Sequence, residues 1–331
     1  MAMMFTVLVI AVMLVNGWTD APNAISTCVT TRSLTPKGAL CLAGICNFAG
    51  TLAMSYINSG VAKTMYLMVD FGDDHTSALS ALCAGMTAVV LWSVTAWIFG
   101  IPTSESHALI SGITGAAIAQ RMSFSAINFE QWRLVLLGLF LSTLPAFLTA
   151  KIIYAVMRHL FANADRRRTM RYFMRAQCWS AGSSAFMHGA QDSQKFMGVF
   201  MLGMSLLNGN SPAEGAELKL PLYVVAVSAS VMTLGTMLGG FRIIKKVGSD
   251  MVRLDASGGT VADISSSGVS AVCSFFGIPV STTHSKACSM MGVGSSNGNF
   301  DRRVAGQLFF AWILTFPICG ALGFIAALIM C

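Results

Sequence analysis

Apolar runs long enough to fill a membrane helix recur along the whole chain, each bounded by a short polar segment. The runs predict a first span over the N-terminal stretch MAMMFTVLVIAVMLV and a second over residues 38–57. An apolar stretch at 77–99 breaks at GIPTSESH and resumes at 108–119; a further span covers 132–157, with Pro145 as a kink. The second half follows the same plan. A helix carrying Asp192 runs to Leu207, and a span follows at 221–240. The stretch 261–276 breaks at GIPVSTTH and resumes through Met291, and a last span covers 304–330. Two stretches interrupt the apolar pattern at helical spacing. In FMHGAQDSQKFMG, His188, Asp192 and Lys195 stand at i, i+4 and i+7, and in NGWTDAPNA so do Asn16, Asp20 and Asn23. A charge at the centre of a bilayer costs about 2.5–3.5 kcal/mol on insertion scales, so these faces must look into protein or water, and function is their default explanation.

Composition places the chain in a membrane. Of 331 residues, 55% are hydrophobic and 11% charged, the mean hydropathy is +0.68, and soluble domains carry about 25% charged residues. No separate soluble domain is expected. The N-terminal run has no Lys or Arg before it and no small-residue cleavage site, so it reads as a retained span rather than a signal peptide. Nine cysteines without a CxxC pair read as membrane-packing residues.

The net charge of +7 gathers in a few loops, which the positive-inside rule explains better than nucleic-acid binding. With Arg32, the Arg158–Arg166–Arg167–Arg168–Arg171–Arg175 run, Arg242–Lys245–Lys246 and Arg302 in the cytoplasm, the Asp70–Asp73–Asp74 and Glu214–Glu217 segments fall outside. The first Asp motif then runs inward and the second outward, and the GIP stretches become hairpin tips entered from opposite faces. Arg121, outside, is a mild exception. Asp192 follows Asp20 by 172 residues and His284 follows His107 by 177. The expected fold is an all-α polytopic membrane protein built as an inverted-topology repeat, each half having three transmembrane spans and one broken, re-entrant helical hairpin. Residues 1–157 form the first repeat, 158–175 a basic cytoplasmic linker and 176–331 the second repeat, with both termini outside.

GIPTSESH and GIPVSTTH share a design. Pro102 and Pro279 cannot continue the preceding helix, and the hydroxyls that follow (Thr103 and Ser104, Ser281 and Thr282) are natural N-caps for a new one. A helix N-terminus in a membrane offers free N–H donors, and hydroxyls donate to a tetrahedral oxyanion without adding charge. Two such tips at the midplane make an anion site; the plainer alternative is a pair of proline kinks. Asp20 and Asp192 suit a cation or proton, and Asp20 with Asn16 and Asn23 looks like an all-oxygen Na⁺ site. The Lys195 ammonium can stand in a cation's place, unless the side chain snorkels. His107, His188 and His284, one per motif, read as loop-fixing hydrogen bonders rather than a metal cluster. There is no GxSxG elbow (GSSNG at 294–298 follows a helical run rather than a strand) and no HExxH, so an enzyme is not expected.

These motifs resemble a known family. NGWTDAPNAISTCVTTRSLTP is similar to the first signature of the inorganic phosphate transporter (PiT) family and HGAQDSQK to its second. GIPTSESH and GIPVSTTH resemble its paired hairpin motifs, and WILTFP near the C-terminus also looks familial. The resemblance covers nearly the whole chain. It implies transport of orthophosphate with Na⁺ or H⁺, an inverted repeat and a dimer; relatives in the proton-coupled branch are associated with metal–phosphate complexes, and some carry sulfate. Asp20 and Asn23 match the Asp and Asn of the first signature and Asp192 the Asp of the second. Thr19 stands where Asn or His is common, and Pro22 where Ala is usual. Lys195 stands at the second Asn, as in the proton-coupled branch, Gln191 replaces an Asn, and Glu105 replaces a Ser or Thr.

The sequence therefore predicts a secondary active transporter in the cell membrane, importing inorganic phosphate, alone or as a metal–phosphate complex, by symport with H⁺ in preference to Na⁺. A sulfate permease of the same fold and a passive anion channel are the alternatives. Expected substrate-binding residues are Ser104, Ser106, Ser281, Thr282, Thr283, Gln191 and Lys195, and expected coupling residues are Asp20, Asn23, Asp192 and Glu105. Pro102, His107, Pro279 and His284 shape the tips. No cofactor and no resident metal are expected; the partners are phosphate, the coupling cation, the bilayer and a second copy in a homodimer. Glu105 would repel phosphate as a bare carboxylate, so either it pairs with Lys195 or it is protonated when substrate binds.

Overall fold

A polar cap followed by an apolar run opens most helices of this chain. The computed structural model describes residues 1–101, 103–210, 218–238, 244, 251–298 and 300–331. Pro102, Glu214, Glu217, Arg242, Lys245, Lys246 and the last two residues of the 221–240 span lie outside the described residues. Helix α1 (Ala2–Thr19) ends at Asp20, and Pro22 opens α2 (Pro22–Thr30), where a missing N–H costs nothing. Thr35 caps α3 (Pro36–Ile57), a short α4 (Gly60–Tyr66) follows, and Asp74 caps α5 (His75–Ile98). Ser104 caps α6 (Glu105–Arg121), Asn128 caps α7 (Phe129–Leu160) and Asp165 caps α8 (Arg166–Leu207). Then come α9 (Leu222–Leu238), α10 (Ala256–Phe275) capped by Asp255, α11 (Thr282–Asn297) capped by Ser281, and α12 (Arg302–Met330) capped by Asp301.

Three expectations shift. The asparagine–aspartate face of 16–23 is divided between two helices, with a turn at Asp20 and Ala21 that keeps right-handed helical backbone angles. The arginine-rich 158–175 is mostly helical: α7 runs to Leu160 and α8 starts at Arg166, since Asp165 caps a helix that hydropathy alone cannot see. Helix α4 also escaped the hydropathy pattern, being too short to span.

Among the described residues, five helical segments, Ala2–Thr30, Pro36–Ile57, His75–Ile98, Phe129–Leu160 and Arg302–Met330, are long and apolar enough to cross a membrane. Their outward faces stay apolar: Leu136, Phe140 and Ile152 on α7 and Phe310 and Ile313 on α12 are exposed, as a lipid-facing belt requires. The chain is an all-helical, multi-pass membrane protein. Helix α8 is different, burying a polar face in the middle of the bundle.

The halves pack by exchange. Helix α1 lies on α9 and α3 on α8; α6 lies on α12 and α11 on α7; α5 lies on α12 and α10 on α7. One apolar core surrounds α5 and α6, and another surrounds α10 and α11. Arg121 is ion-paired with Asp70, which accounts for its place among the acidic residues. The Cys331 thiol reaches the Ser77 carbonyl at 3.5 Å, so the C-terminus shares that acidic end. At the opposite end Arg158 donates to Asn297 at 3.4 Å.

Candidate functional site

Each GIP break is closed by the glycine in front of the proline. Gly100 and Gly277 take φ of +64° and +67°. Behind them Ile101 N donates to Ala96 O and Ile278 N to Cys273 O, both at 2.9 Å, while Gly100 N donates to Trp97 O and Gly277 N to Ser274 O. This is the Schellman ending of a helix, written twice. The chain then restarts with Ser104 Oγ accepting from His107 N at 3.4 Å and Ser281 Oγ from His284 N at 3.2 Å.

The two tips touch. Ser104 Oγ and Ser281 Oγ are 2.8 Å apart, which places the N-termini of α6 and α11 head to head. Asn23 Nδ2 donates to Thr283 Oγ1 at 3.0 Å, so the first half's motif holds the second tip. The exchange is reciprocal: Lys195 Nζ donates to Ser106 Oγ of the first tip at 2.6 Å. Lys195 also donates to Asp192 Oδ1 and to the Val280 carbonyl, both at 2.5 Å, which uses all three of its hydrogens. Asp192 further accepts from Thr282 at 3.2 Å and faces His188 Nε2 at 3.2 Å.

Glu105 does not meet Lys195 in an ion pair. Its carboxyl accepts from Thr19 Oγ1 at 3.1 Å and from Ser93 Oγ, and among the described residues no cation contacts it. Gln191 is committed to the second hairpin, donating to Ser274 Oγ at 2.8 Å and to the Ile278 carbonyl at 3.3 Å. Its amide holds that tip in place. Asp20 accepts from Asn23 at 2.9 Å on one oxygen; its Oδ2, the Asn23 Oδ1 and both polar atoms of Asn16 have no partner. Asp20, His188 and Asp192 each offer one ligand atom, and the three atoms lie within 4.8 Å of one another. All three residues are buried, at 2% exposure or less, so a cation held here would compensate the Asp20 carboxylate, Asp192 being already paired with Lys195. The cavity among Asp20, Asn23, Ser184, His188, Thr282 and Lys286 is ≈ 10 Å³, room for about one water. The site is closed.

The tip histidines are fixed by ring packing. His284 stacks on Trp312 at 3.8 Å, and neither of its ring nitrogens has a hydrogen-bond partner. His107 meets His284 edge-on at 4.3 Å and lies 4.5 Å from Phe316. Pro279 lends its carbonyl to a close approach by Gly138 of α7. WILTFP is therefore the aromatic bed of both tips, a role its sequence does not announce. Sequence reasoning also missed Ser93, Asp263 and Lys286. The last two are charges inside apolar helices, and the rule that singled out Asp192 applies to them equally.

Residues 16–323 match the model of the phosphate transporter family. A Bacillus subtilis protein named "Probable low-affinity inorganic phosphate transporter" is 33% identical over 96% of this chain and 93% of its own. A Mycobacterium tuberculosis (H37Rv) protein of the same name is 32% identical over 93% of this chain and 72% of its own. A solved structure titled "The sodium-dependent phosphate transporter" superposes with a TM-score of 0.88 at 18% identity, covering 99% of this chain and 98% of that one. At that identity the match speaks for the fold.

Proposed function

Because this chain belongs to the phosphate transporter family, we propose that it imports inorganic phosphate across the cell membrane by cation symport, with H⁺ favoured over Na⁺. The observation that carries the reading is the meeting of two hairpin tips: hydroxyls of Ser104, Ser106, Ser281, Thr282 and Thr283 and the N-termini of α6 and α11 converge between Asp20 and Asp192. Parting Ser104 from Ser281 would free donors on both tips for one tetrahedral anion, in a place without bulk water. The packing exchanged between the halves supports an inverted repeat, with alternating access through opposite movements of the two hairpins. As the family resemblance implies, the working unit is a homodimer.

Two observations favour H⁺. The Lys195 ammonium already neutralises Asp192 at the position that matches Asn23 in the other half. Glu105, buried beside the first tip and bonded only to hydroxyls, can carry a proton inward with the anion it would otherwise repel. A second reading has its own support. The free oxygens of Asp20 and Asn23, beside His188 and Asp192, are arranged for a small cation, and Na⁺ there would couple transport instead. Labelled phosphate uptake into proteoliposomes, with sulfate as competitor, separates these under imposed H⁺ and then Na⁺ gradients. Uptake driven by a pH gradient without Na⁺ is expected. Accumulation that needs Na⁺ and ignores pH would give coupling to the Asp20 site, and failure to accumulate phosphate at all would overturn the function.

A further inference from the structure

A second buried ion pair lies outside the tips. Lys286 of α11 and Asp263 of α10 are paired directly, at 1% and 0% exposure. Lys286 Nζ also donates to the Ala24 carbonyl at 2.9 Å and to Thr27 Oγ1 at 3.2 Å. Asp263 accepts from Thr27 at 2.9 Å on Oδ1 and from Ser180 at 3.0 Å on Oδ2. The pair thus ties four elements, α2, α8, α10 and α11. Lys286 has no hydrogen left for a substrate. It does line the small cavity shared with Asp20, His188 and Thr282, so its side chain is one wall of the site on the side of the basic end. In the next layer toward that end, Gln177 Oε1 accepts from Thr31 at 2.8 Å and Ser33 at 3.0 Å.

The other half has no such pair. The repeat spacings put Met86 at the counterpart of Asp263, Leu109 at that of Lys286, Val199 at that of Thr27 and Leu8 at that of Ser180. Met86, Leu109 and Val199 are buried in the apolar core around the first hairpin, and Leu8 packs against it. Equivalent places in one architecture are thus closed by a charge pair on the basic side and by hydrocarbon on the acidic side. Physically the closures differ in what opening does. Separating Asp263 from Lys286 in contact with water restores the hydration each ion lost on burial. Separating the apolar closure exposes about 25 cal/mol of unfavourable surface for every Å². A paired charge also tolerates no halfway position, since either ion alone in the protein is strongly disfavoured.

Building on the alternating-access reading, we propose that Asp263–Lys286 is the latch of the cytoplasmic gate: intact, it holds α2 and α8 against the second hairpin, and its rupture opens the site to the cytoplasm. The latch would act by population, biasing a two-state element, and it makes the two gates chemically unlike.

The test uses the full chain in liposomes, with the native cysteines replaced and Ser184→Cys, which lines the cavity, as reporter. A membrane-impermeant thiol reagent is applied from the basic-end side, without substrate. With the latch intact the reporter should react slowly. Asp263→Asn leaves an unpaired buried ammonium in the closed state and should speed labelling by about tenfold or more. Asp263→Met with Lys286→Leu copies the opposite gate; it removes both charges, so the reporter should stay protected while phosphate uptake falls by about tenfold. A merely structural pair would give the opposite result, with the double variant transporting at the parent rate. Labelling no faster in Asp263→Asn than in the parent would also overturn the latch. If the parent itself fails to take up phosphate, the function falls, and the labelling arm alone decides on the gate.

Discussion

At the scale of single residues, the buried charges Lys195 and Glu105 take unequal places. Lys195 is saturated by Asp192, Ser106 and the Val280 carbonyl, so it bolts α8 to both tips. Glu105 is left to Ser93 and Thr19. Charges and hydroxyls stand out in apolar sequence, so the residues that the structure gathers at the tips could be picked out; which partner each one takes could not, because many partners arrive from far along the chain, such as Thr19, 86 residues from Glu105, and Thr283, 260 residues from Asn23. Two outcomes follow. Ser281→Ala removes a donor from the proposed anion site and the cap of α11; losing one hydrogen bond to a charged group costs about 1.5–3 kcal/mol, so the apparent phosphate affinity should fall roughly ten- to hundredfold. Equilibrium phosphate binding that matches the parent would remove Ser281 from the site. Glu105→Gln keeps the hydrogen bonds available to a neutral carboxyl but cannot exchange a proton. Uptake by the parent should rise as external pH falls, whereas the Gln variant should bind phosphate and transport it at a rate that no longer follows pH. A variant that tracks pH as the parent does would take Glu105 out of the coupling.

Elements obey simpler rules, and most were legible. The prolines and hydroxyls of the two GIP motifs announce a stop and a restart, and α6 and α11 begin at the hydroxyl caps. The glycine was passed over, although it makes the turn: an L-residue in its left-handed conformation costs about 1–2 kcal/mol. The two glycines are not equivalent. A Cβ on Gly100 would meet nothing within 4 Å, whereas one on Gly277 would press on the Gly60 backbone at 3.1–3.3 Å. Helix α4 props the second tip there, with Thr64 donating to the Gly277 carbonyl at 2.9 Å. Gly100→Ala should therefore destabilise the protein by about 1–2 kcal/mol from backbone conformation alone. Gly277→Ala should cost more and slow uptake further, since it also moves the tip away from α4. Thermal unfolding in detergent with an uptake assay ranks the two, and equal losses would count against the prop. Helix α4 could not be foreseen, since seven residues carry no usable periodicity.

For the whole molecule, the charge pattern and the packing argue independently toward one topology. Charge alone sends the arginines of 158–175 inward and the aspartates of 70–74 outward. The structure separates the same groups to opposite ends: Arg121 pairs with Asp70 and the C-terminus reaches Ser77 at one end, while Arg158 meets Asn297 at the other. What the sequence could not convey is how the halves interlock, because the exchanged pairs α1 on α9 and α3 on α8, or α6 on α12 and α11 on α7, depend on shape rather than on hydropathy. The proposed inverted repeat would put one hairpin mouth on each side of the bilayer, and the hairpin starting at His75 should open outward. A single cysteine at Asp73, exposed just ahead of α5, should react with an impermeant reagent added to intact cells. One at Arg167, in the first turn of α8, should react only after the membrane is opened, and the native Cys331, exposed at the C-terminus, should behave like Asp73. Labelling of Asp73 and Arg167 from the same side would break the charge-derived topology. Labelling of both with sides exchanged would keep the inverted repeat but turn it over, and the Asp263–Lys286 latch would then close the outer gate.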